Sequence, residues 1–407
     1  MSNIALFTFA YAPFEGGAEI AAREIIGRSK DFKFSIFTYK FDKHWAAYEE
    51  GDNFNLIRVG RGGSSKKYYG HIWNKIFYIY KAWQEAERMH SRRRFEVIWA
   101  MMASYGGVAA LLFKMNHPKV PLLLTLQEGD SERHMIFGKF GFVGLFGKKI
   151  ISSADLIQCI SKYLEGFAEK RGAKCPIEIV PNGVDIKLFQ THYNDLEIKS
   201  LRDNLGINDE YVILTTSRLV YKNGVDILIK AVAKLKEKRP GIKLLIIGGG
   251  PERKKLADLA KKLSVSSNVL FLGQIQQKDL PLYFRVADVF SRPSRSEGLG
   301  NSFLEAMAAG IPVIGTPVGG IVDFLKDPSE SFLPRKAPDG QVGQTATGFI
   351  SKPEDPDDLA EKINYVLSHP DERKKIVANA ELLVEKDYSW DIVAQKMGEI
   401  FKRLIKK

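Results

Sequence analysis

The sequence predicts an α/β protein built from two doubly wound domains with parallel sheets. Short apolar runs of strand length alternate with amphipathic helical segments along the chain, which is the pattern of repeated βα units. The 407 residues exceed what one hydrophobic core usually serves. Glycine-rich loops follow several of the strands, as Gly16-Gly17 follows Ile4–Phe9 and Gly248–Gly250 follows Lys243–Ile247. Such loops are typical of doubly wound sheets.

A polar segment from Gln190 to about Asp209 separates the two βα patterns. We therefore assign residues 1–190 to a first domain and residues 191–389 to a second. A terminal helix over residues 390–407 is expected to pack back on the first domain. Doubly wound sheets bind ligands beyond the carboxyl ends of their strands, so the two domains are expected to face each other across a ligand-binding cleft.

The composition indicates a globular protein of a reducing compartment. The formal net charge is +12, and residues 1–190 carry +8 of it. Such a basic half suits an anionic membrane surface or a phosphorylated substrate, whereas no nucleic-acid-binding motif is present. Cys159 and Cys175 have neither metal-type nor disulfide-framework spacing. The N-terminus lacks the basic region of a signal peptide, and no window has the roughly 18 apolar residues of a spanning helix, so a cytoplasmic location is expected.

The segment from Ser294 to Val313 holds the most informative motif. Glu297 and Glu305 lie on either side of a turn that contains Gly298 and Gly300, and a short helix is expected from Asn301 or Ser302. Backbone N–H groups at a glycine turn before a helix bind anions well. Two interpretations of Glu305 are open. It either binds a ligand hydroxyl or completes a capping box with Ser302.

Other polar residues follow predicted strands. Gln127 and Glu128 come directly after the strand Leu122–Leu126, and Arg218 and Lys222 follow Val212–Ser217. Asn182 lies in a tight turn, Pro181 to Asp185. Carboxyl ends of parallel strands are where open α/β sheets hold their ligands, so these residues are candidates for substrate contact. Surface ion pairs are the alternative for Arg218 and Lys222.

Two further segments are ambiguous. Phe137–Lys149 interleaves phenylalanine with glycine and lysine, which suits either a membrane interface or an ordinary core helix. The polar segment Lys326–Thr347 is long for a loop in a compact domain and is a candidate cover for an acceptor.

Taken in order, the motifs resemble those of retaining GT-B glycosyltransferases of family 4, the glycosyl transferases group 1, over essentially the whole chain. The matching motifs are Gly16–Glu19, Pro181–Asp185, Arg218 with Lys222, Gly248–Pro251, and Glu297-x7-Glu305. The resemblance implies a GT-B fold, that is, two Rossmann-like domains facing across a cleft.

The resemblance also implies residue roles. Arg218 and Lys222 would hold the diphosphate of a nucleotide-sugar donor, so that neither a metal nor a cofactor is needed. Glu305 would accept hydrogen bonds from the ribose hydroxyls. Glu297 would hold the transferred sugar together with the backbone of Gly298, Leu299 and Gly300. The remaining implied contacts are of Gly17 and Gly250 with the donor, and of Gln127, Glu128 and Asn182 with the sugar or the acceptor.

The implied activity is transfer, with retention, of a hexose-type sugar from a UDP- or GDP-sugar to a glycan or lipid-linked acceptor in cell-envelope synthesis. The protein would then be cytoplasmic and peripheral on the inner face of the membrane. One position departs from the family, since Gln127 and Glu128 stand where a histidine and an acid are usual. A non-catalytic nucleotide-binding scaffold and a GT-B protein that acts on nucleic acid are the alternatives.

Overall fold

The computed structural model describes residues 1–13, 16–63, 72–129, 142–328 and 345–406, without the side chains of residues 142–145. Two compact units make up the chain. The first is Met1–Asn182 together with Trp390–Lys407, and the second is Gly183–Ser389. The division thus falls after Asn182, ahead of the boundary at residue 190 taken from the sequence.

The first unit holds an eight-stranded sheet of order β3-β4-β2-β1-β5-β6-β7-β8. Every adjacent pair is parallel except β3 with β4. The strands are β1 (Ser2–Phe7), β2 (Phe32–Tyr39), β3 (Tyr48–Glu50), β4 (Phe54–Val59), β5 (Val97–Met101), β6 (Leu122–Leu126), β7 (Leu156–Cys159) and β8 (Ile177–Ile179). The central strands are buried along nearly their whole length, as expected for a parallel sheet covered on both faces.

The helices of the first unit are α1 (Gly17–Arg28), α2 (Ile72–Arg92), α3 (Tyr105–Asn116), α4 (Phe142–Ser153) and α5 (Lys162–Lys170), to which the last helix, α15 (Trp390–Ile405), is added. Helix α15 packs on α1 and β5. Its apolar face joins the core that Phe34 and Trp99 form on the sheet. The last helix of the chain therefore completes the core of the first unit.

The second unit holds a six-stranded parallel sheet of order β11-β10-β9-β12-β13-β14. Its strands are β9 (Val212–Thr216), β10 (Lys243–Ile247), β11 (Val269–Gly273), β12 (Val289–Arg292), β13 (Val313–Gly315) and β14 (Phe349–Ile350). Strand order reverses between β9 and β12, because β10 and β11 follow β9 on one side and β12 begins the other side. Doubly wound sheets bind ligands at such a switch point.

The helices of the second unit surround this sheet. They are α6 (Ile186–Phe189), α7 (Asp195–Asn204), α8 (Val225–Lys238), α9 (Arg253–Lys262), α10 (Leu280–Val286), α11 (Asn301–Ala308), α12 (Ile321–Phe324), α13 (Pro356–Ser368) and α14 (Pro370–Asp387). The segment Gln190 to Asp209, predicted as a junction, contains α7 and lies within the second unit. Asn194 and Glu197 form a capping box at the start of α7, which stabilises that helix.

Both ambiguous segments lie partly outside the described residues. Most of Lys326–Thr347 falls there, as does Phe137–Lys149 up to residue 141. The described part of the latter belongs to α4, which buries Ile150 and Ile151. No helix within the described ranges is long and apolar enough to cross a membrane.

Candidate active site

The loops after β9 and β12 meet at the switch point of the second sheet. The loop after β9 carries Arg218 and Lys222, and the loop after β12 carries Glu297 and leads into α11. Since β9 and β12 are neighbouring parallel strands, both loops leave the same edge of the sheet. The sequence-predicted residues of this unit therefore converge on one place.

The backbone turn before α11 presents unpaired donors. Gly298, Leu299 and Gly300 are all buried, with Leu299 only 2% exposed. Their N–H groups donate no hydrogen bond to any atom of the described residues. Buried N–H groups without a partner are rare in proteins because their desolvation is costly. A helix N-terminus adds a positive dipole end, so this turn is suited to an anion or a hydroxyl-rich ligand.

Glu297 is held by a buried arginine at the end of β12. Arg292 Nη2 lies 2.6 Å from Glu297 Oε1, and the Ser294 hydroxyl donates to the same oxygen at 3.2 Å. Arg292 is itself 7% exposed, lies over the Phe303 ring at 5.3 Å, and donates from Nη1 to the carbonyl oxygen of Thr216. The Glu297 carboxylate is therefore held in place through Oε1, and its Oε2 makes neither of these contacts.

Glu305 differs from Glu297 because its carboxylate has no hydrogen-bond or ion-pair partner among the described residues. Burial raises the pKa of the Glu305 carboxyl to about 7, although the positive charge of Arg292 opposes that shift. Desolvation disfavours the charged form of a carboxylate, and here no donor compensates for it. A ligand that donates two hydroxyl hydrogens would supply the missing partners.

The capping box between Ser302 and Glu305, one of the two interpretations open from the sequence, does not form. The N-cap of α11 is Gly300, at φ +101°, and no side chain caps the helix. Asn301 thus begins the helix, and Ser302 lies inside its first turn, where its hydroxyl cannot cap. The Ser302 hydroxyl is buried and has no hydrogen-bond partner. Glu305 therefore has no helix-capping role that would compete with ligand binding.

The loop after β9 is tied into a compact form. The buried Asn223 side chain donates to the carbonyl oxygen of Arg218 at 2.7 Å. Tyr221–Asn223 form a short 3₁₀ turn. The Arg218 side chain is exposed, and its guanidinium makes no hydrogen bond or ion pair with any described residue. Arg218 is therefore an exposed cation and does not form a surface ion pair with any described residue.

Arg295 fastens the two loops to each other. Its backbone N–H donates to the carbonyl oxygen of Lys222 at 2.7 Å, and its Nη1 donates to the carbonyl oxygen of Tyr221 at 2.7 Å. The same guanidinium forms a bidentate pair with Asp226 at 2.8 and 2.9 Å and lies 3.9 Å from the centre of the Tyr221 ring. Burial disfavours the ionised Asp226, but the hydrogen bonds and charge of Arg295 prevail and lower its pKa.

Two glycines allow the loops to approach closely. Gly224 has φ +66°, and a Cβ there would overlap the carbonyl oxygen of Pro293, which precedes Ser294. A Cβ at Gly250 would likewise overlap the carbonyl oxygen of Leu219. Glycine at these positions thus brings the loops after β10 and β12 against the loop of Arg218. The observed contact of Gly250 is with protein backbone, and its contact with a donor stays a prediction.

In the first unit, the structure brings together Gln127 and Asn182. The Asn182 side-chain amide donates to Gln127 Oε1 at 3.0 Å at the carboxyl ends of β6 and β8. Both oxygens of Glu128 accept backbone N–H groups, from Ala103 at 3.0 Å and from Gln127 at 2.9 Å. Glu128 therefore holds the backbone at the end of β6. The side-chain amides of Gln127 and Asn182 form a hydrogen-bonded pair beside it.

Gly17 begins α1 and is exposed. The carboxylate of Glu19 accepts backbone N–H groups of Gly16 and of Glu19 itself, and burial raises its pKa. The N-terminus of α1 is thus occupied by an acid of its own helix.

Sequence reasoning missed Arg292, Arg295, Asp226 and Asn223. A signal was present for Arg292, since a charged residue ends the otherwise apolar strand β12. For Arg295 and Asp226 the signal is absent, because their pairing joins positions 69 residues apart. In the described part of the chain no cluster of three or more His, Cys, Asp or Glu side chains is arranged to hold a metal.

Two parallel-sheet units, one with cations and unpaired N–H groups at its switch point, define an α/β protein equipped to bind an anionic ligand. Residues 197–383, which lie in the second unit, match the model of the glycosyl transferases group 1. That segment belongs to this family, and the match confirms the resemblance to GT-B glycosyltransferases.

Similar proteins agree with this assignment. The GDP-mannose-dependent monoacylated alpha-(1-6)-phosphatidylinositol monomannoside mannosyltransferase of Corynebacterium glutamicum is 34% identical over 264 residues, which are 63% of this chain and 64% of that protein. The alignment thus spans less than two thirds of that relative. The GDP-mannose-dependent alpha-(1-6)-phosphatidylinositol monomannoside mannosyltransferase of Mycobacterium tuberculosis is 29% identical over 99% of this chain and 98% of its own length.

Among solved structures, sucrose-phosphate synthase of Thermosynechococcus elongatus superposes with a TM-score of 0.80 at 21% identity, over all of both chains. At that identity the likeness shows the fold alone. The protein therefore has the GT-B fold predicted from its sequence.

Proposed function

We propose that the protein is a retaining glycosyltransferase that moves a hexose from a nucleoside diphosphate sugar to a lipid-linked acceptor. The observation that carries the proposal is the pairing of two loops at one switch point. One loop holds the unpaired Arg218 guanidinium, and the other holds the buried, unpaired N–H groups of Gly298–Gly300. Arginine suits a diphosphate because its fork of donors matches two phosphate oxygens.

In the proposed site, each acid has a separate task. Glu305, which lacks a protein partner, accepts hydrogen bonds from the two ribose hydroxyls. Glu297, fixed by Arg292, accepts a hydroxyl of the transferred sugar through its outer oxygen. Because Arg292 and Ser294 already orient the Glu297 carboxylate, it binds without reorganising, which favours a defined sugar position.

The proposed chemistry is front-face substitution. The acceptor hydroxyl attacks the anomeric carbon from the side that the diphosphate leaves, the bond to the phosphate oxygen breaks, and that oxygen takes the hydroxyl proton. Charge grows on the departing phosphate, and Arg218 and Lys222 stabilise it without a metal. Gln127 cannot serve as a base, so its amide and that of Asn182 are assigned to hydrogen bonding of the sugar or acceptor.

The relatives favour a GDP-mannose donor and an acceptor of the phosphatidylinositol mannoside class, because the two relatives reported above carry those names. UDP-sugars remain the second donor set to assay. The lipid nature of the acceptor supports peripheral membrane association.

The proposal is tested by donor turnover and by one acid variant. Purified protein is incubated with GDP-mannose or UDP-glucose, with and without a membrane-lipid extract, and release of nucleoside diphosphate is measured. Lys222→Ala is expected to abolish turnover while thermal stabilisation by the free nucleotide weakens. Glu297→Gln should lower turnover and leave affinity for the free nucleotide unchanged. Absence of any response to either nucleotide would refute the proposal.

The matched control is Lys230→Ala. Lys230 lies on α8, in the same unit as Lys222, and is exposed with only a weak contact to Asp226 at 4.0 Å. It should retain full turnover. If Lys230→Ala lowered activity as strongly as Lys222→Ala, general charge rather than the loop position would explain the effect.

A further inference from the structure

We propose that the outer face of α2, in the first unit, is a docking surface for an anionic lipid bilayer. Helix α2 has one buried face and one face exposed to solvent. Its inner face buries Lys75, Tyr78, Ala82 and Ala86 against α3 and the sheet. Its outer face leaves large apolar side chains in solvent, which is unusual for a helix of a globular protein.

The exposed residues follow one helical stripe. They are Ile72, Trp73, Ile76, Phe77 and Tyr80, and Trp73 is 75% exposed. Spacings of three and four residues place them on one side of the helix. Large apolar side chains that are exposed together on one helix face mark an interaction site, whereas singly scattered ones do not.

Cations continue the same helix beyond the apolar stripe. A cavity of about 610 Å³ lies against α2, and Phe77 of the stripe helps to line it. Its other lining includes the cationic side chains Arg61, Lys81, Arg92 and Arg93. Two further arginines of the lining are ion-paired, Arg58, which is buried, with Glu49, and Arg88 with Glu85. Arg92 and Arg93 are exposed and form no ion pair with a described residue.

This arrangement favours a bilayer over a protein partner. Tryptophan and tyrosine are the side chains that settle at a lipid–water boundary, since they combine an apolar body with a polar tip. Neighbouring arginines would meet the anionic headgroups. The sequence left Phe137–Lys149 open between a membrane interface and a core helix, and the surface proposed here is a different one. The purpose of this docking rests on the proposed function, in which the acceptor is lipid-linked. Vesicle binding itself needs no sugar donor, so it is measured independently of that function.

The test is co-sedimentation of the full chain with vesicles of phosphatidylcholine alone or with about one third phosphatidylglycerol, which supplies the anionic surface. We expect binding only to the anionic vesicles, and a marked loss when salt rises from about 0.05 to about 0.5 M. The triple variant Trp73→Ser, Ile76→Ser, Phe77→Ser should bind at least about tenfold more weakly. Arg88→Gln with Arg92→Gln and Arg93→Gln should have a similar effect at low salt.

Matched controls separate this surface from general effects. Leu196→Ser with Leu382→Ser removes exposed apolar side chains of the second unit, and Lys254→Gln with Lys261→Gln and Lys262→Gln removes three exposed cations there. Both should bind like wild type. Trp73→Phe should still bind but lose most of the blue shift of tryptophan emission that vesicles induce.

Several outcomes would overturn the inference. Wild-type protein that stays in the supernatant with anionic vesicles would do so, as would α2 variants that bind as well as the controls. Thermal stabilisation by nucleotide, measured on the same variants, reports the donor site separately. Normal nucleotide binding without vesicle binding would reject the docking surface alone, whereas vesicle binding without any nucleotide response would reject the proposed function alone.

Discussion

Both carboxylate oxygens of Asp226 accept hydrogen bonds from the Arg295 guanidinium, which belongs to the neighbouring loop. The pair is largely buried, with side-chain exposures of 13% for Arg295 and 20% for Asp226. Arg295 also binds the backbone of Tyr221 and Lys222. The pair therefore fixes the distance between the loop that carries the cations and the loop that carries Glu297.

Asp226→Asn should loosen that link without removing any proposed ligand contact. We expect stability to fall by about 1–2 kcal/mol, since a charge-assisted bidentate pair is lost. Donor turnover should fall about 10- to 100-fold, because misplaced groups lose their positioning effect. Asp357→Asn is the control. Asp357 pairs with Lys234 but is 69% exposed, so its loss should change stability by less than about 0.5 kcal/mol.

Gly224→Ala tests the close approach of the two loops. The new Cβ would need positive φ and would overlap the Pro293 carbonyl oxygen, so destabilisation of more than about 2 kcal/mol is expected. Gly206→Ala is matched to it, because Gly206 has φ +65° with open space around its Cβ. Thermal unfolding of both variants isolates crowding from backbone strain. Equal losses of stability in the two variants would show that the surrounding structure shifts to remove the overlap at residue 224.

Glu305 should make stability depend on pH. Its pKa is about 7 in the folded protein and about 4.3 when unfolded, so the folded state binds more protons between those values. Its contribution to stability is therefore full below about pH 4.3 and is lost as pH rises through about 7. Unfolding by urea at pH 5 and pH 8 should show wild type losing stability relative to Glu305→Gln. A constant difference between the two proteins would contradict the shift.

Nucleotide affinity should show the opposite trend. Ionised Glu305 is the better acceptor for ribose hydroxyls, so affinity should rise between pH 6 and pH 8 (roughly one unit either side of its pKa). Titration calorimetry of Glu305→Gln should show weak binding without this rise. A free 2′-deoxynucleotide should bind wild type more weakly and the variant about equally to its ribose counterpart. Equal discrimination by both proteins would assign the ribose to another residue.

Arg218→Ala and Arg292→Ala should separate binding from folding. Arg218 is exposed and unpaired within the described chain, so its loss should leave stability within about 0.5 kcal/mol and lower turnover about 100-fold or more. Arg292 neutralises Glu297 in a buried site, so its loss should cost about 3–5 kcal/mol. Chemical denaturation and turnover of both variants check this contrast. Strong destabilisation by Arg218→Ala would give that residue a structural role.

Local patterns predicted the elements well where burial dictates them. The strands expected at Leu122–Leu126 and Lys243–Ile247 have those same bounds, and the strand expected at Val212–Ser217 is Val212–Thr216. Parallel strands are buried on both faces, so their apolar runs stand out from the polar loops. The convergence of Arg218, Lys222 and Glu297 was also foreseeable, because carboxyl ends of neighbouring strands share an edge.

Capping shows where a local pattern fails. Asn194-x-x-Glu197 and Ser302-x-x-Glu305 have the same form, but only the first is a capping box. At the second, Gly300 adopts positive φ and is the N-cap, which lies two residues before Ser302, so Ser302 is already inside the helix and cannot cap it. The backbone geometry of the surrounding turn decides whether the capping box forms. The residue pattern alone does not specify that geometry. The same holds for Arg295 with Asp226, whose partnership depends on strand order.

Helix α15 has a consequence for how the protein is made. Trp390, Met397, Phe401 and their apolar neighbours close the core of the first unit, although the first 182 residues leave the ribosome long before them. During synthesis the face of the sheet around Phe34 and Trp99 stays uncovered until the whole second unit has emerged. A chain that ends early would leave that apolar face exposed. Chaperones and proteases would bind the exposed face, so prematurely terminated products would be degraded.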